Sequence, residues 1–357
     1  MVYTPHQVNK IEKIVALTAG IMVDDLVLPQ LVTHETVDQF KGAAGDKITK
    51  TVEGRLPYRE YAFRNDRSEG IIFDVYKEGK TDITWGGRIY SGVELTDEQH
   101  DFDLPGWNKL AAKQAQAVAQ GVNDRTASAI RNAPYNYTVG LGGADAPGDI
   151  KAALFELRKL MNKLRVRGER FLAVGSDVEQ AILLDEKLTM TDAVSQGRAE
   201  SALANAAIGK IAGFTIISDL TLPADEAYAF VPDAFVLLSG IPVIPQSAPF
   251  ATTISHEGYG FRWIKDYDQK FFVDRSSVDL YTGVNHVEDF YLKKPEKATG
   301  SAPVTLEPSD VKAFIRGVKF SLTDDSSFGA QAASLQADTG IDPTKGFVAP
   351  SLRTVTP

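Results

Sequence analysis

The chain has no cysteine among its 357 residues, which excludes disulfides, thiolate metal sites and cysteine nucleophiles. It has no surplus of basic residues either. A net charge of −9 argues against a protein that grips nucleic acid through a broad basic surface. Long apolar runs are missing too. The single N-terminal run, Ile14 to Val23, lacks a basic leader and passes straight into Asp24 and Asp25, so it reads as neither a signal peptide nor a membrane span. The five histidines, at 6, 34, 100, 256 and 286, form no metal-binding spacing. No internal repeat is found.

Motifs for chemistry are equally scarce. Gly143 to Lys151 nearly spells a phosphate loop, but Asp149 stands where the lysine belongs and Ile150 where the Ser or Thr belongs. Asp145 replaces the third glycine of a dinucleotide fingerprint. Ser176 follows a strand-like run, and Ser176 with Glu179 reads as a capping box rather than a nucleophile elbow. Asp266, Asp268 and Asp274 lack the turn glycine of a calcium loop, and read as a solvated or interface turn. The expectation is no catalytic residue, no cofactor and no metal.

What is present begins with Leu104 to Ala133. Small or apolar residues recur at Trp107, Ala111, Ala115, Val118, Val122, Thr126, Ala129 and Ala133, the spacing of one helical turn. Asp103 can cap this helix, Pro105 suits its first turn, and Asn132 with Pro134 stops it. The predicted rod is about 40 Å long at 1.5 Å per residue. Its thin, Ala-rich stripe allows a flat sheet to lie close against it.

Before this helix, residues 1–46 read as an arm: a short apolar helix over Ile11 to Leu28, then a polar remainder punctuated by Pro29, Gly42 and Gly45. Residues 47–101 read as a long β excursion, with strand-like runs at Lys47–Val52, Tyr58–Phe63, Ile71–Tyr76, Asp82–Trp85 and Arg88–Leu95. A two-stranded ribbon is marginal alone in water, so this one must lie on another surface. Its arms can reach on the order of 60–80 Å at about 3.3 Å per residue. That surface is either the excursion's own domain or a neighbouring copy. The candidate intersubunit contacts are Arg59, Arg64, Arg67, Trp85 and Arg88.

After the helix, residues 102–148 close one unit and residues 149–247 read as a compact α/β unit. The latter carries helices at 149–166, 177–187 and about 198–207, and strands at 171–174, 214–218, 227–231 and 235–238. Gly213 precedes a buried strand, where a positive φ or a close backbone approach is expected. Residues 248–292 return as strands onto the long helix. Residues 293–357 read as a linker and an extension, with one short helix near 310–317 capped by Ser309 and the rest laid across neighbouring subunits.

Three segments in this order carry a family resemblance. GDKITKTVEG, YREYAFRN and DITWGGRIYSGVELTDEQHDFDL, before the long helix, form the first. IGKIAGFTIISDLTLP with AYAFVPDAF forms the second, and EGYGFRWIKDYDQKFFVDRSSVDLYTGV the third. Together they resemble the major capsid proteins of tailed double-stranded DNA phages, across about residues 14 to 290. The resemblance implies an α+β, Hong Kong 97-type capsid fold: N-terminal arm, extended β loop, peripheral domain with its spine helix, and axial α/β domain.

The same resemblance implies a non-enzymatic subunit that self-assembles as hexamers and pentamers of an icosahedral shell. The shell encloses DNA without sequence-specific contact, in a virion assembled in the host cytoplasm. It also implies scaffolding, portal and cement proteins as further partners, and no membrane. The arm begins almost at once, so no long scaffolding helix is expected ahead of it. Lys77 and Lys80 lie in the excursion but match no cross-linking chemistry. An encapsulin-type compartment shell is the alternative within the fold. An α/β enzyme using the 140–148 loop is the alternative outside it.

Overall fold

The computed structural model describes residues 27–36, 47–52, 58–61, 70–76, 78–97, 107–142, 149–184, 207–246, 248–256, 259–290, 305–306 and 312–328. The helix expected over Ile11 to Leu28 lies outside these except at its end. The helix at 198–207, the 143–148 loop, Arg64, Arg67, Lys77 and the tail after 328 fall outside too, apart from Ala207.

The described chain opens with a 3-10 turn at Leu28–Leu31 and runs into β1 (Thr33–Thr36). The excursion supplies β2 (Lys47–Val52), β3 (Val75–Tyr76) and β4 (Gly79–Thr84), and β5 (Arg88–Thr96) leads out of it. Helix α1 (Trp107–Arg131) is the expected spine, 25 residues long. Then follow β6 (Tyr137–Gly140), α2 (Ile150–Lys163), β7 (Phe171–Val174) and α3 (Ser176–Leu184). Strands β8 (Ala207–Ile211), β9 (Phe214–Ser218), β10 (Glu226–Phe230) and β11 (Phe235–Gly240) come next. The return is β12 (Phe250–His256), β13 (Tyr259–Asp268), β14 (Val273–His286) and β15 (Asp289–Phe290). The C-terminal part adds β16 (Thr305–Leu306), β17 (Lys312–Ala313), β18 (Gly317–Ser321) and β19 (Ser327–Phe328).

Two sheets organise these elements. One runs β1-β11-β14-β13-β12, with β5 also paired to β14; the other runs β19-β6-β18-β10-β7-β9-β8. Strand β14 is the hub of the first, because its 14 residues are long enough to hold β5, β13 and β11. The spine packs on β14 and β5, with Gly121 against Ile89, and its Ala111, Ala115, Val118, Ala119, Val122, Ala127 and Ile130 are nearly fully buried. Small side chains on this face permit the close approach.

Three expectations need correction. The sheets do not follow the boundaries at 149 and 247. The chain crosses between sheets within Val231–Ala234, so β11 sits in the six-stranded sheet, while β6, β18 and β19 join the seven-stranded one. Of the helix expected near 310–317, residues 312–317 are described and none is helical: Lys312–Ala313 is a strand, while Ser309 and residues 310–311 lie outside the described residues. Gly317 begins β18, and a Cβ there would meet the Phe314 ring at 2.7 Å. The described part of the tail does not leave its own subunit: β18 is threaded between β6 and β10, burying Phe314, Val318 and Phe320.

Smaller details also differ. Ser176 and Glu179 make no capping box: the N–H groups of Asp177 and Val178 donate to the Ala224 carbonyl, and Glu179 accepts from the Ser218 hydroxyl at 2.5 Å. Gly213 has φ +87° beside Ala212 at +51°, in the two-residue turn of the β8–β9 hairpin. Both central residues at positive φ are what a tight hairpin turn requires. The three aspartates read as a turn lie on or between paired strands, with Lys265 3.3 Å from Asp274 and Arg275 2.5 Å from Asp268. Asp268 and Asp274 form cross-strand ion pairs, and the Asp266 carboxylate accepts from the Tyr267 N–H.

Candidate assembly surface

The excursion leaves the six-stranded sheet through a narrow base. Strands β2 and β4 pair antiparallel, and Ile83 of β4 is buried against Val236 and Leu238, with Trp85 packed alongside. Trp85 also meets Tyr281 edge-on at 6.4 Å. Asn285 on β14 clamps Thr84. Its amide donates to the Thr84 carbonyl at 2.7 Å, and its side-chain oxygen accepts from the Thr84 hydroxyl at 3.2 Å. At Gly86 the backbone crosses β14 so closely that the Gly86 Cβ position lies 3.1 Å from the Gly283 Cα.

Farther out, Arg59 reaches Asp74 with two hydrogen bonds, 3.2 Å from Nε and 2.8 Å from Nη2, joining the two limbs of the excursion. This bidentate pairing, chiefly its hydrogen bonds, raises the Arg59 pKa. Around it Tyr58, Tyr61, Ile71, Phe73, Val75 and Tyr76 are exposed, Phe73 to 82%. Such a concentration of apolar side chains on a thin ribbon is unusual for a surface meant to face water. Strand β3 in this region pairs parallel with β16, tying the C-terminal part to the excursion.

Below the base, charged groups are buried with partners. Arg262 donates to Asp279 through Nε at 3.0 Å and Nη2 at 2.8 Å, and to the Val243 carbonyl through Nη1. Arg88 approaches the same carboxylate at 3.3 Å, donates to the Tyr281 hydroxyl at 2.6 Å, and lies over that ring. The spine is keyed to the sheet by Gln114, which donates to Ser276 O at 3.0 Å and accepts from Ser276 Oγ at 2.8 Å. Asn123 accepts from Leu28 N and donates to Asp219, so the spine also holds the N-terminal turn.

The five candidate contact residues therefore divide. Arg59, Trp85 and Arg88 have partners within their own chain: Trp85 and Arg88 both meet Tyr281, while Arg59 pairs with Asp74 farther out. Arg64 and Arg67 lie outside the described residues. The exposed tyrosines, Ile71 and Phe73 were missed as a surface because a strand's exposed apolar face looks like a core face in sequence. Among the described residues no cluster of three or more His, Asp or Glu is placed to hold a metal ion, and no helix is long and apolar enough to cross a membrane.

A family profile described as phage capsid protein matches residues 88–281, more than half of the chain. The chain belongs to that family. The matched span begins and ends on Arg88 and Tyr281, which face each other across β5 and β14. Solved capsids share the architecture at low identity. The capsid of cyanophage P-SCSP1u is 12% identical, with a TM-score of 0.55 over 83% of this chain and 87% of that one. The bacteriophage PhiM1 mature capsid is 13% identical, with a TM-score of 0.53 over 91% and 90%. The cyanophage A-1(L) capsid is 11% identical, with a TM-score of 0.53 over 90% and 97%. No curated protein sequence matches the chain. The fold is the Hong Kong 97-type capsid fold, and this capsid protein is a major capsid protein that builds the multimeric shell of a virion.

Proposed function

We propose that this capsid protein assembles as pentamers and hexamers into an icosahedral shell around double-stranded DNA, without enzymatic activity or a cofactor. Assembly proceeds in the host cytoplasm, with scaffolding, portal and cement proteins as partners. The observation that carries the reading is the exposed apolar row of the excursion, from Tyr58 to Tyr76, held outward by the Arg59–Asp74 pair above a base anchored at Thr84. A neighbouring copy covers that row. Arg59, Trp85 and Arg88 set the shape of the excursion for this contact, and Arg64 and Arg67 are placed by sequence to touch the neighbour.

The test is to remove residues 59–76 with a short Gly/Ser bridge and examine the product by negative-stain microscopy, with scaffold and other phage proteins supplied. Wild-type protein should form closed shells, and the trimmed protein should stay folded but unassembled. The cut stops short of β4, because Ile83 and Trp85 pack on the sheet. Wild-type particles no larger than a tetramer would sink the shell reading. A trimmed protein that still closes shells would sink the role of the excursion.

A further inference from the structure

The strand registers of the seven-stranded sheet place two sets of charges at opposite ends. Phe171, Thr215, Phe230 and Gly317 are neighbours at one end, while Val174, Ser218, Ala227 and Phe320 are neighbours at the other. The first end is flanked by Arg165, Arg167, Arg170 and Arg316, with Glu169, Asp233 and Asp289 among them. The second is flanked by Asp177, Asp225, Asp324 and Asp325. A chain of net charge −9 thus gathers a basic edge at one end of one sheet.

The basic edge is built around a cleft of about 240 Å³, lined by Arg165, Arg167, Asp233, Asp289 and Arg316. Arg316 is committed there: it binds Asp289 through Nη2 at 2.6 Å and the Asp233 carbonyl at 2.9 Å. Arg170 is committed to Asn162 and the Val166 carbonyl, and burial, then the charge of Arg158, lowers its pKa. Arg165 and Arg167 are exposed, and among the described residues no carboxylate lies within ion-pair distance of either. Two guanidiniums on the rim of a cleft, with their planar donors unused, suit a carboxylate.

At the other end a pinned loop holds carboxylates outward. Gly142 N donates to Asp324 O at 3.1 Å, Asp324 N to Ser321 Oγ at 3.1 Å, and Gly140 N to Ser326 Oγ at 3.0 Å. Asp324 and Asp325 are exposed, and the ammonium of Lys319 is no closer to Asp324 than 3.9 Å. A rigid donor of two negative charges loses little entropy on docking.

We propose that these ends are the two halves of one head-to-tail contact: Asp324 and Asp325 of one copy dock at the Arg165–Arg167 cleft of the next. The partner is a second copy because the carboxylates that Arg165 and Arg167 lack are displayed by the same chain, on a loop already ordered. A contact between different ends of identical subunits is heterologous, the kind that closes rings. The inference rests on the shell reading and names one contact within it.

Charge reversal with restoration tests it. Arg165→Glu with Arg167→Glu, and separately Asp324→Arg with Asp325→Arg, should each cut the assembled fraction on the order of tenfold or more, because like charges then meet. The substituted carboxylates of the loop carry none of its backbone hydrogen bonds, and circular dichroism checks each fold. The four substitutions together should restore assembly, and high salt should weaken wild-type association. A folded quadruple variant that stays unassembled overturns the contact. So does a double variant that assembles like wild type, including one that does so but loses packaged DNA, which would assign the basic edge to phosphate. Wild-type protein that never assembles overturns the shell reading itself, and this contact with it.

Discussion

A Cβ placed on Gly283 would lie 2.5 Å from the backbone nitrogen of Gly86. These two glycines let the base of the excursion cross β14 while Thr282 N still donates to Gly87 O at 2.9 Å. Gly283→Ala should therefore lower subunit stability by about 2–3 kcal/mol, since backbone rather than a flexible side chain must move. Denaturant unfolding checks this, and an unchanged midpoint would show that the crossing yields easily.

The Arg262–Asp279 pair is nearly buried, with side-chain exposures of 8% and 6%. Removing one partner leaves the other charged and dehydrated, so Arg262→Met should cost about 3–5 kcal/mol. Asp279 keeps Arg88 at 3.3 Å, which places the result toward the lower figure. A double variant, Arg262→Met with Asp279→Leu, should recover much of that loss. If the single variant melts with wild type, the pair is structurally idle.

Truncation after Glu296 should unfold or severely destabilise the isolated subunit. It removes β18 from between β6 and β10 and takes away the buried Phe314, Val318 and Phe320. At about 1.5–3 kcal/mol for each large apolar side chain, the loss is comparable to the whole stability of many domains. A truncated subunit that melts with the full chain would show that β18 is dispensable. The part beyond residue 328 is a separate question, and removing only that part tests the clasp expected from sequence.

Tyr135 and Tyr228 give the subunit an alkaline limit. Burial raises both pKa values well above the ordinary 10; the charge of Tyr228 and then of Glu226 adds to this at Tyr135, and the hydrogen bond donated to Glu226 and then that carboxylate's charge add to it at Tyr228. For an acid whose folded pKa is raised, the stabilisation is complete below the unfolded pKa and declines as pH climbs from there towards the folded value. Stability should fall above about pH 10, as the unfolded tyrosines ionise and the folded ones do not. Tyr135→Phe with Tyr228→Phe should fall less steeply over the same range. Equal slopes in pH-dependent melting would remove these two residues from the explanation.

Much of this architecture is written in local patterns. The spine, expected over 104–133, is α1 at Trp107–Arg131, and Phe171–Val174 is a strand as read. The small residues at 111, 115, 118 and 122 declared a helix face that must meet something flat, and β14 with β5 is that surface. The positive φ of Gly213 was legible from its place before a buried strand. The apolar row of the excursion was visible as residues but not as a surface, because alternation says which side chains share a face and not whether anything covers it.

Composition, charge and helical period are local quantities, and by themselves they determined the lack of cysteine chemistry, the spine, the punctuated excursion and the order of segments that marks the capsid fold. Tertiary structure alone decided that β18 enters the seven-stranded sheet from the far end of the chain, and that β14 serves three strands. It also decided that the N–H groups opening α3 are taken by Ala224 rather than by Ser176. Each of these is a pairing between segments distant in sequence. A backbone N–H or C=O is the same group at every residue, so its partner is chosen only when packing brings two distant chains together.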